Sequence, residues 1–175
     1  MTTVSLRPYE RSDASRISEW IPSTTDAKFW GGASASWPLS HRQLLPNAPA
    51  SADLEVSAWT SAVDGRPVGY GQIEFDHKNR LARLMRIVTD PVRRGQGLGR
   101  QLVAGLLAHA FDERKAGRCE LNVFEQNASA IALYRSRGFV VEGCRRRALT
   151  VGSEPWNCLV MGLLDDEYAL SIGRR

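Results

Sequence analysis

The stretch that decides the fold is residues 84–100, which read LMRIVTDPVRRGQGLGR. An apolar strand is followed by a turn, a glycine-spaced loop and a helix. The loop carries glycine at every second position, at Gly95, Gly97 and Gly99. Glycine has no Cβ, so such a loop can bend tightly and approach a ligand closely. Apolar residues then recur on one face of the following segment: Leu98, Leu102, Val103, Leu106, Leu107, Ala110 and Phe111. This spacing predicts an amphipathic helix directly after the loop.

The start of this helix is a predicted phosphate-binding site. The first N–H groups of a helix have no partner within it and lie at the positive end of its dipole. Arg93, Arg94 and Arg100 add positive charge beside these groups, which together favour a bound phosphate. Two other phosphate motifs are excluded. A kinase-type P-loop ends in Gly-Lys-Ser/Thr, which is missing, and a dinucleotide fingerprint needs glycine where Arg100 stands.

A second informative stretch is residues 121–139, LNVFEQNASAIALYRSRGF. Its first residues continue a buried strand predicted over Cys119–Phe124. Asn127 is placed to cap a short helix that carries Ile131, Leu133 and Tyr134, and Gly138 stands at the expected position after its end.

Together these two stretches resemble the signatures of the GNAT superfamily of N-acyltransferases. The pattern Arg94-x-x-Gly97-x-Gly99, between a strand and a helix, looks like the family's acyl-CoA pyrophosphate loop, and residues 121–139 look like its second signature. The resemblance covers about residues 66–164. It implies one GNAT-like domain over residues 1–175, with a mixed, mostly antiparallel sheet, helices on both faces and splayed central strands. It further implies acetyl transfer from acetyl-CoA, as co-substrate, to a primary amine of a small molecule or a peptide N-terminus by direct attack.

The resemblance also assigns roles to cofactor-binding residues. Ile87, Val88 and Thr89, at a splayed strand end, would pair with the pantetheine arm, and the Val88 N–H would polarise the thioester carbonyl. Backbone N–H groups would hold the pyrophosphate at Arg94, Gly95, Gln96, Gly97, Leu98, Gly99 and Arg100.

Two residues of the second signature receive roles in the same way. Asn127 would contact the cofactor arm, although it is a helix cap on any interpretation. Tyr134 would be the general acid for the departing thiolate, although it could instead be a half-buried packing residue.

The general base is less well defined. Some N-terminal acetyltransferases of the superfamily carry a base glutamate where this chain has Asn122, which cannot usefully accept a proton. Glu120 lies two residues earlier, on the same strand face, and Glu74 and Asp76 on the preceding hairpin are further candidates. Each could equally be a solvated strand carboxylate. At pH 7 an α-amino group with a pKa of ~7.8 loses its proton at a free-energy cost of about 1 kcal/mol. A lysine-like amine with a pKa of ~10.4 needs about 4.6 kcal/mol. A site without a strong base therefore suits an α-amine or an amine with a lowered pKa.

The remaining chain predicts the order β-α-α-β-β-β-α-β-α-β-β. Ser12 or Asp13 is expected to cap the first helix, residues 23–53 are the least regular part apart from a short helix near Ser40–Leu45, and the tail from Asp165 is expected to be partly ordered. The predicted strands are Val4–Tyr9, Glu55–Ala62, Pro67–Asp76, Arg80–Thr89, Cys119–Phe124, Phe139–Val151 and Trp156–Leu164. Phe29-Trp30-Gly31-Gly32 could line a pocket or pin a loop to the core. An aromatic acceptor pocket could draw on Trp30, Trp37, Trp59 and Trp156.

Composition is that of an ordinary globular domain. Apolar residues make up 43% of the 175 and charged residues 24%, and no apolar run approaches the roughly 20 residues of a membrane helix. Residues 1–10 lack the apolar core of a signal peptide. Three cysteines suggest reduced thiols and form no metal pattern with the three histidines. A cytoplasmic location, no membrane partner and no metal are therefore expected.

The basic balance leaves two further function classes to weigh. Net charge is +4, and much of the excess lies in residues 93–100 and 145–147, where an anionic cofactor explains it as well as nucleic acid does. No aromatic-basic interleaving is present, so no nucleic-acid partner is expected. The alternative to an enzyme is a non-catalytic acyl-CoA-binding or sensor domain. The C-terminal hairpin could offer an edge strand for a homodimer, as any terminal strand could.

Overall fold

The computed structural model describes residues 4–46, 49 and 51–173, and within them the chain builds a single sheet. Its strands are β1 (Ser5–Pro8), β2 (Leu54–Val63), β3 (Arg66–Asp76), β4 (Leu81–Thr89), β5 (Arg118–Phe124), β6 (Val140–Val151) and β7 (Glu154–Leu164). They lie in the order β1-β2-β3-β4-β5-β7-β6. Neighbours are antiparallel except β4 and β5, which are parallel. The predicted mixed, mostly antiparallel sheet is confirmed.

Helices cover both faces of this sheet, as predicted. They are α1 (Ala14–Glu19), α2 (Thr24–Gly31), α3 (His41–Leu44), α4 (Leu98–Ala108), α5 (Ala128–Arg135) and α6 (Asp165–Ser171). On one face α4, α5 and α6 pack on the central strands through a core that includes Leu102, Leu106 and Ile73. On the other face α1, α2 and α3 enclose a smaller core around Tyr70. Among the described residues, no helix is both long and apolar enough to span a bilayer.

The two central strands separate halfway along their length. β4 pairs with β5 only where Leu81–Leu84 face Arg118–Leu121, whereas β5 continues against β7 as far as Phe124. On its other side β4 makes a β-bulge against β3, because Gln72 faces Met85 but Tyr70 faces Val88. Arg86 lies in this bulge with φ +52°. The second half of β4 is therefore free of a strand partner on the β5 side, which confirms the predicted splay.

Three local features differ in detail from the expectations drawn from the sequence. The stretch 23–53 contains a full helix, α2, whose N-terminus is capped by the Ser23 hydroxyl accepting the N–H of Asp26. The tail is also helical through Ser171, because three acidic residues favour its first turn and Tyr168 stacks on Phe111 at 4.6 Å between ring centroids. Arg174 and Arg175 lie outside the described residues.

The third correction concerns the start of α1. Asp13 stands at the N-cap position of this helix, which follows a 3₁₀ turn (Arg11–Asp13), but its side chain makes no capping hydrogen bond to α1. The Asp13 carboxylate instead accepts hydrogen bonds from Arg7, at 2.8 Å, and from the Thr60 hydroxyl, at 2.9 Å. It thereby ties the first helical segment to β1 and β2.

Candidate active site

Two cavities meet at the separated ends of β4 and β5. The first, which we call the strand cleft, has a volume of about 590 Å³ and is bounded by β4 residues 85–89, the loop at 93–100 and the start of α5. The second, the side cavity, has a volume of about 520 Å³ and lies beside α2, β3 and β6. Six residues line both: Phe29, Trp30, Leu84, Met85, Arg86 and Asn122. The two spaces therefore share one wall at the bulge.

The loop at the start of α4 has the geometry that its glycines predict. Gly95 and Gly97 adopt φ values of +79° and +76°, a region that costs other L-residues roughly 1–2 kcal/mol. Gly97 is also the N-cap residue of α4, so the first N–H groups of the helix follow directly. Arg93, Arg94 and Arg100 line the same end of the strand cleft. Free N–H donors, a helix N-terminus and guanidinium groups fit a pyrophosphate.

Of the seven loop residues predicted to hold the pyrophosphate, six line the strand cleft: Arg94, Gly95, Gly97, Leu98, Gly99 and Arg100. Gln96 is not among the lining residues, and its side chain accepts a hydrogen bond from Arg93 Nε at 3.4 Å. The guanidinium of Arg137, beyond α5, donates to the carbonyl oxygen of Arg100 at 2.9 Å. This contact braces the loop from the side of α5.

A residue that the sequence analysis did not single out anchors the loop. Asp90 is only 3% exposed, and its carboxylate accepts the N–H of Val92 at 3.0 Å and a hydrogen bond from Arg16 at 3.1 Å. An aspartate directly before a proline is a common turn-initiating pair, so the signal was present at Asp90-Pro91. The carboxylate fixes the direction in which the chain leaves β4.

On β4, the hydrogen-bond ladder determines which N–H groups face the strand cleft. The Asp90 N–H donates to the carbonyl oxygen of Val68 at 3.0 Å, and Val88 is registered opposite Tyr70. Because antiparallel pairing alternates, the Val88 N–H is directed at β3. Ile87 and Thr89 therefore present their N–H groups on the cleft side. All three residues line the cleft, but the N–H available to a carbonyl oxygen belongs to Ile87 or Thr89 instead of Val88.

Tyr134 reaches the strand cleft from α5. It is 8% exposed and packs edge-on against Phe139, and burial raises the pKa of its hydroxyl above the usual value. Among the described residues its hydroxyl has no hydrogen-bond partner. Asn127 also lines the cleft, while its Oδ1 caps α5 by accepting the N–H of Ala130 at 3.2 Å. The cap and a ligand contact can therefore coexist at Asn127.

The structure separates the candidate bases. Glu74 lines the side cavity and makes an ion pair with Arg83, with 2.6 Å between Oε1 and Nη1. Glu120 binds the other side of Arg83 at 2.7 Å and also contacts Arg118 at 3.4 Å, and it is not among the residues that line either cavity. Asp76 accepts hydrogen bonds from Asn79 at the turn after β3. Glu74 is thus the candidate that faces open space.

The aromatic residues of α2 form part of the shared wall. Phe29 stacks on Trp156 at 4.4 Å between ring centroids, and the Trp30 indole N–H donates to the carbonyl oxygen of Arg86 at 2.7 Å. Of the four tryptophans considered for an acceptor pocket, Trp30 lines it and Trp156 supports it from behind. Trp37 and Trp59 line neither cavity. The Trp37 indole donates to the carbonyl oxygen of Ile21, and Trp59 packs on His109 with the two rings tilted by 50°.

A family model described as "Acetyltransferase (GNAT) family" matches residues 19–139. The chain belongs to the GNAT family. This membership confirms the predicted acetyl-CoA-dependent N-acetyltransferase, which acts on an amine with acetyl-CoA as co-substrate.

The chain is also similar to individual GNAT proteins. It is 24% identical over 154 residues to an aminoglycoside N(6')-acetyltransferase type 1 of Klebsiella pneumoniae, covering 81% of this chain and 76% of the relative. It is 33% identical over 109 residues to the N-alpha-acetyltransferase RimI of Mycobacterium tuberculosis, covering 58% and 66%. Among solved structures, a spermidine N-acetyltransferase from Vibrio cholerae in complex with CoA and spermine superposes with a TM-score of 0.77 at 19% identity, covering 94% and 97%. That likeness shows the common fold.

Proposed function

We propose that this GNAT protein transfers the acetyl group of acetyl-CoA to a primary amine, of a small molecule or a peptide N-terminus, by direct attack within the space where the two cavities meet. The observation that carries the proposal is the shared wall. The strand cleft has the donors for an anionic, extended cofactor, the side cavity has room for an acceptor, and both reach Arg86 and Asn122. A reaction between two substrates needs such a junction, because the reacting atoms must approach to about 3 Å.

The cofactor side of the site follows from the backbone. The N–H groups at the start of α4 and the arginines beside them take the pyrophosphate. The cleft-facing N–H of Thr89 lies nearer to this loop and that of Ile87 nearer to the bulge, so the pantetheine arm pairs along them in this order. Ile87 then donates to the carbonyl oxygen on which negative charge develops.

Tyr134 takes the acid role. As the nitrogen–carbon bond forms and the carbon–sulfur bond breaks, the departing sulfur gains negative charge and accepts the hydroxyl proton. A raised pKa keeps this hydroxyl protonated at neutral pH, so the donor is present in its active form in every molecule. Its position in the cleft matters more than its acidity, because the proton moves as the charge develops.

Glu74 takes the base role in preference to Glu120. Its carboxylate faces the side cavity, where the amine arrives, and one water can carry the amine proton to it. Arg83 holds this carboxylate in place. Glu120 lies on the far side of Arg83 and acts by orienting that guanidinium.

A cytoplasmic location and a homodimer complete the proposal. The three cysteines are free thiols, which supports a reducing compartment. Strand β6 ends the sheet and pairs only with β7 among the described residues, which supports edge-to-edge pairing with a second copy.

The test is acetyl transfer to a panel of amines, followed by mass spectrometry. The panel contains N-terminal peptides, lysine peptides, polyamines, aminoglycosides and amino acids, each with acetyl-CoA and with or without the protein. Mass detection avoids the background that cysteine thiols give with thiol reagents. We expect acetylation of at least one primary amine. Tight acetyl-CoA binding by calorimetry without transfer to any amine would contradict the proposal and favour an acyl-CoA-binding domain.

A further inference from the structure

Charge around the side cavity is unbalanced. Its charged lining residues are Glu74, Arg83, Arg86 and Arg145. Glu74 makes an ion pair with Arg83, and Arg83 is shared with Glu120, which lies outside the cavity lining. Arg86 and Arg145 make no ion pair with an acidic residue in the part of the chain that the structure describes. The space where an acceptor would bind is therefore bordered by two uncompensated guanidinium groups.

Arg86 is the more constrained of the two. The β-bulge, with φ +52° at this residue, turns it out of the regular strand, and its side chain is half-buried. The guanidinium lies over the Trp30 ring, with Cζ 5.2 Å from the centroid, and Nη1 donates to the carbonyl oxygen of Gln43 at 2.7 Å. A guanidinium has five N–H donors, so this one keeps donors for a ligand. Burial lowers the pKa of this guanidinium, but an arginine side chain stays charged at neutral pH.

The position of Arg86 connects this charge to the acceptor. Arg86 lines both the strand cleft and the side cavity, so an amine that reaches the cofactor-facing edge of β4 lies beside this residue, whose guanidinium is held over the Trp30 ring. A partly desolvated cation without a carboxylate attracts an anion strongly and repels a second cation. Phe29, Trp30 and Phe124 on the same wall offer apolar surface to the rest of the acceptor.

We propose that Arg86 selects acceptor amines that carry an anionic group, a carboxylate or a phosphate, close to the amine. This inference rests on the acetyl transfer proposed above and names the substrate class of that site. It also disfavours acceptors that are polycations, such as polyamines and aminoglycosides, because their additional positive charges would face Arg86 and Arg145, while the carboxylate of Glu74 in the same lining is already paired with Arg83.

Matched acceptors test the proposal with the unmodified protein. L-phenylalanine is compared with 2-phenylethylamine, and O-phosphoethanolamine with ethanolamine, and spermidine serves as the polycation. We expect kcat/KM to be at least tenfold higher for the anionic member of one pair. The first pair tests a carboxylate and the second pair tests a phosphate, so the result shows which of the two anions is preferred. A preference for spermidine, or for the uncharged-tail amine in both pairs, would overturn the proposal.

The two amines of a pair also differ in intrinsic reactivity. This difference cancels when the same pair is compared between the unmodified protein and its variants. The ratio of kcat/KM between the two members of a pair should fall at least tenfold in Arg86→Gln and less in Arg86→Lys, which keeps a positive charge. Arg66→Gln, an exposed arginine at the start of β3 outside both cavities, is the matched control and should leave the ratio unchanged. An unchanged ratio in a folded Arg86→Gln would overturn the proposal, and thermal denaturation checks folding.

A binding measurement keeps this inference separate from the proposed function. If no amine is acetylated, acetyl transfer fails, and the role of Arg86 is decided by calorimetry with N-acetyl-L-phenylalanine and N-acetyl-O-phosphoethanolamine in the presence of CoA. At least tenfold weaker binding of one probe to Arg86→Gln supports the anion site. Equal binding to both proteins, or no binding to either, overturns it.

Discussion

The sharpest prediction concerns the hydroxyl of Tyr134. Changing Tyr134→Phe removes one oxygen and leaves the ring against Phe139. Because this hydroxyl has no hydrogen-bond partner among the described residues, its loss leaves no buried polar group unpaired. We expect the free energy of unfolding to change by less than about 1 kcal/mol. Stability and activity are therefore separable at this position.

The expected loss of activity is large. A positioned general acid contributes roughly 10²–10⁴-fold, which is about 3–5.5 kcal/mol at 1.36 kcal/mol per factor of ten. Full proton transfer from a tyrosine with a pKa of ~10 to the thiolate of a thiol with a pKa of ~8.5 is uphill by roughly 2 kcal/mol. The raised pKa of Tyr134 adds to this cost. The benefit thus arises while the sulfur charge develops, and kcat should fall without a comparable rise in the KM for acetyl-CoA.

The pH dependence provides an independent readout. With its pKa raised above the ordinary ~10 of tyrosine, Tyr134 stays protonated from pH 7 to 9, so the variant should be slower by the same factor throughout this range. Steady-state rates from mass spectrometry, with urea denaturation of both proteins, measure the two quantities. Activity within threefold of the unmodified protein would refute the acid role, and so would a rate loss matched by a comparable loss of stability.

Three further predictions follow from the ion pairs and caps. Glu74→Gln should lower kcat at least tenfold more than Glu120→Gln, because of these two residues only Glu74 faces the side cavity. Equal steady-state kcat values for the two variants would contradict this prediction. Asp90→Ala should raise the KM for acetyl-CoA and destabilise the protein by about 1–2 kcal/mol through loss of a buried cap. An unchanged KM would show that the loop at residues 93–100 keeps its conformation without Asp90. For Asp13, burial raises the pKa, but hydrogen bonds such as that from Arg7 outweigh it, so the folded-state pKa is lowered. This stabilisation is complete above about pH 5 and lost as pH falls through the folded pKa. The urea midpoints of Asp13→Asn and the unmodified protein should therefore converge between pH 6 and 3.

Local signals made much of the site predictable. The glycines of the loop at 93–100 and the Asn127 cap act within a few residues, so their conformations follow from the sequence. The strand limits also follow, because hydrophobic alternation and turn residues bound them. Helix α2 was missed because Gly31-Gly32 suggested a loop, although Ser23 and Asp26 carried a start signal.

Long-range contacts account for what the sequence did not reveal. Glu74 and Glu120 look alike along the chain, and only the position of Arg83 between them puts one in the cavity and the other behind it. Arg86 had no motif to mark it, since its role depends on the bulge against β3 and on the packing of α2. The direction of the Val88 N–H depends likewise on the register with Tyr70.

The separation of β4 from β5 has a consequence for aggregation. An unpaired strand edge at the rim of a sheet invites pairing with another polypeptide. The unpaired edge of β4 lies in the interior of the sheet, with β3 on one side and β5 on the other. A flanking strand of another chain would have to enter between two strands that already belong to one sheet. The protein thereby keeps a row of free backbone donors open to a slender ligand and shielded from its neighbours in solution.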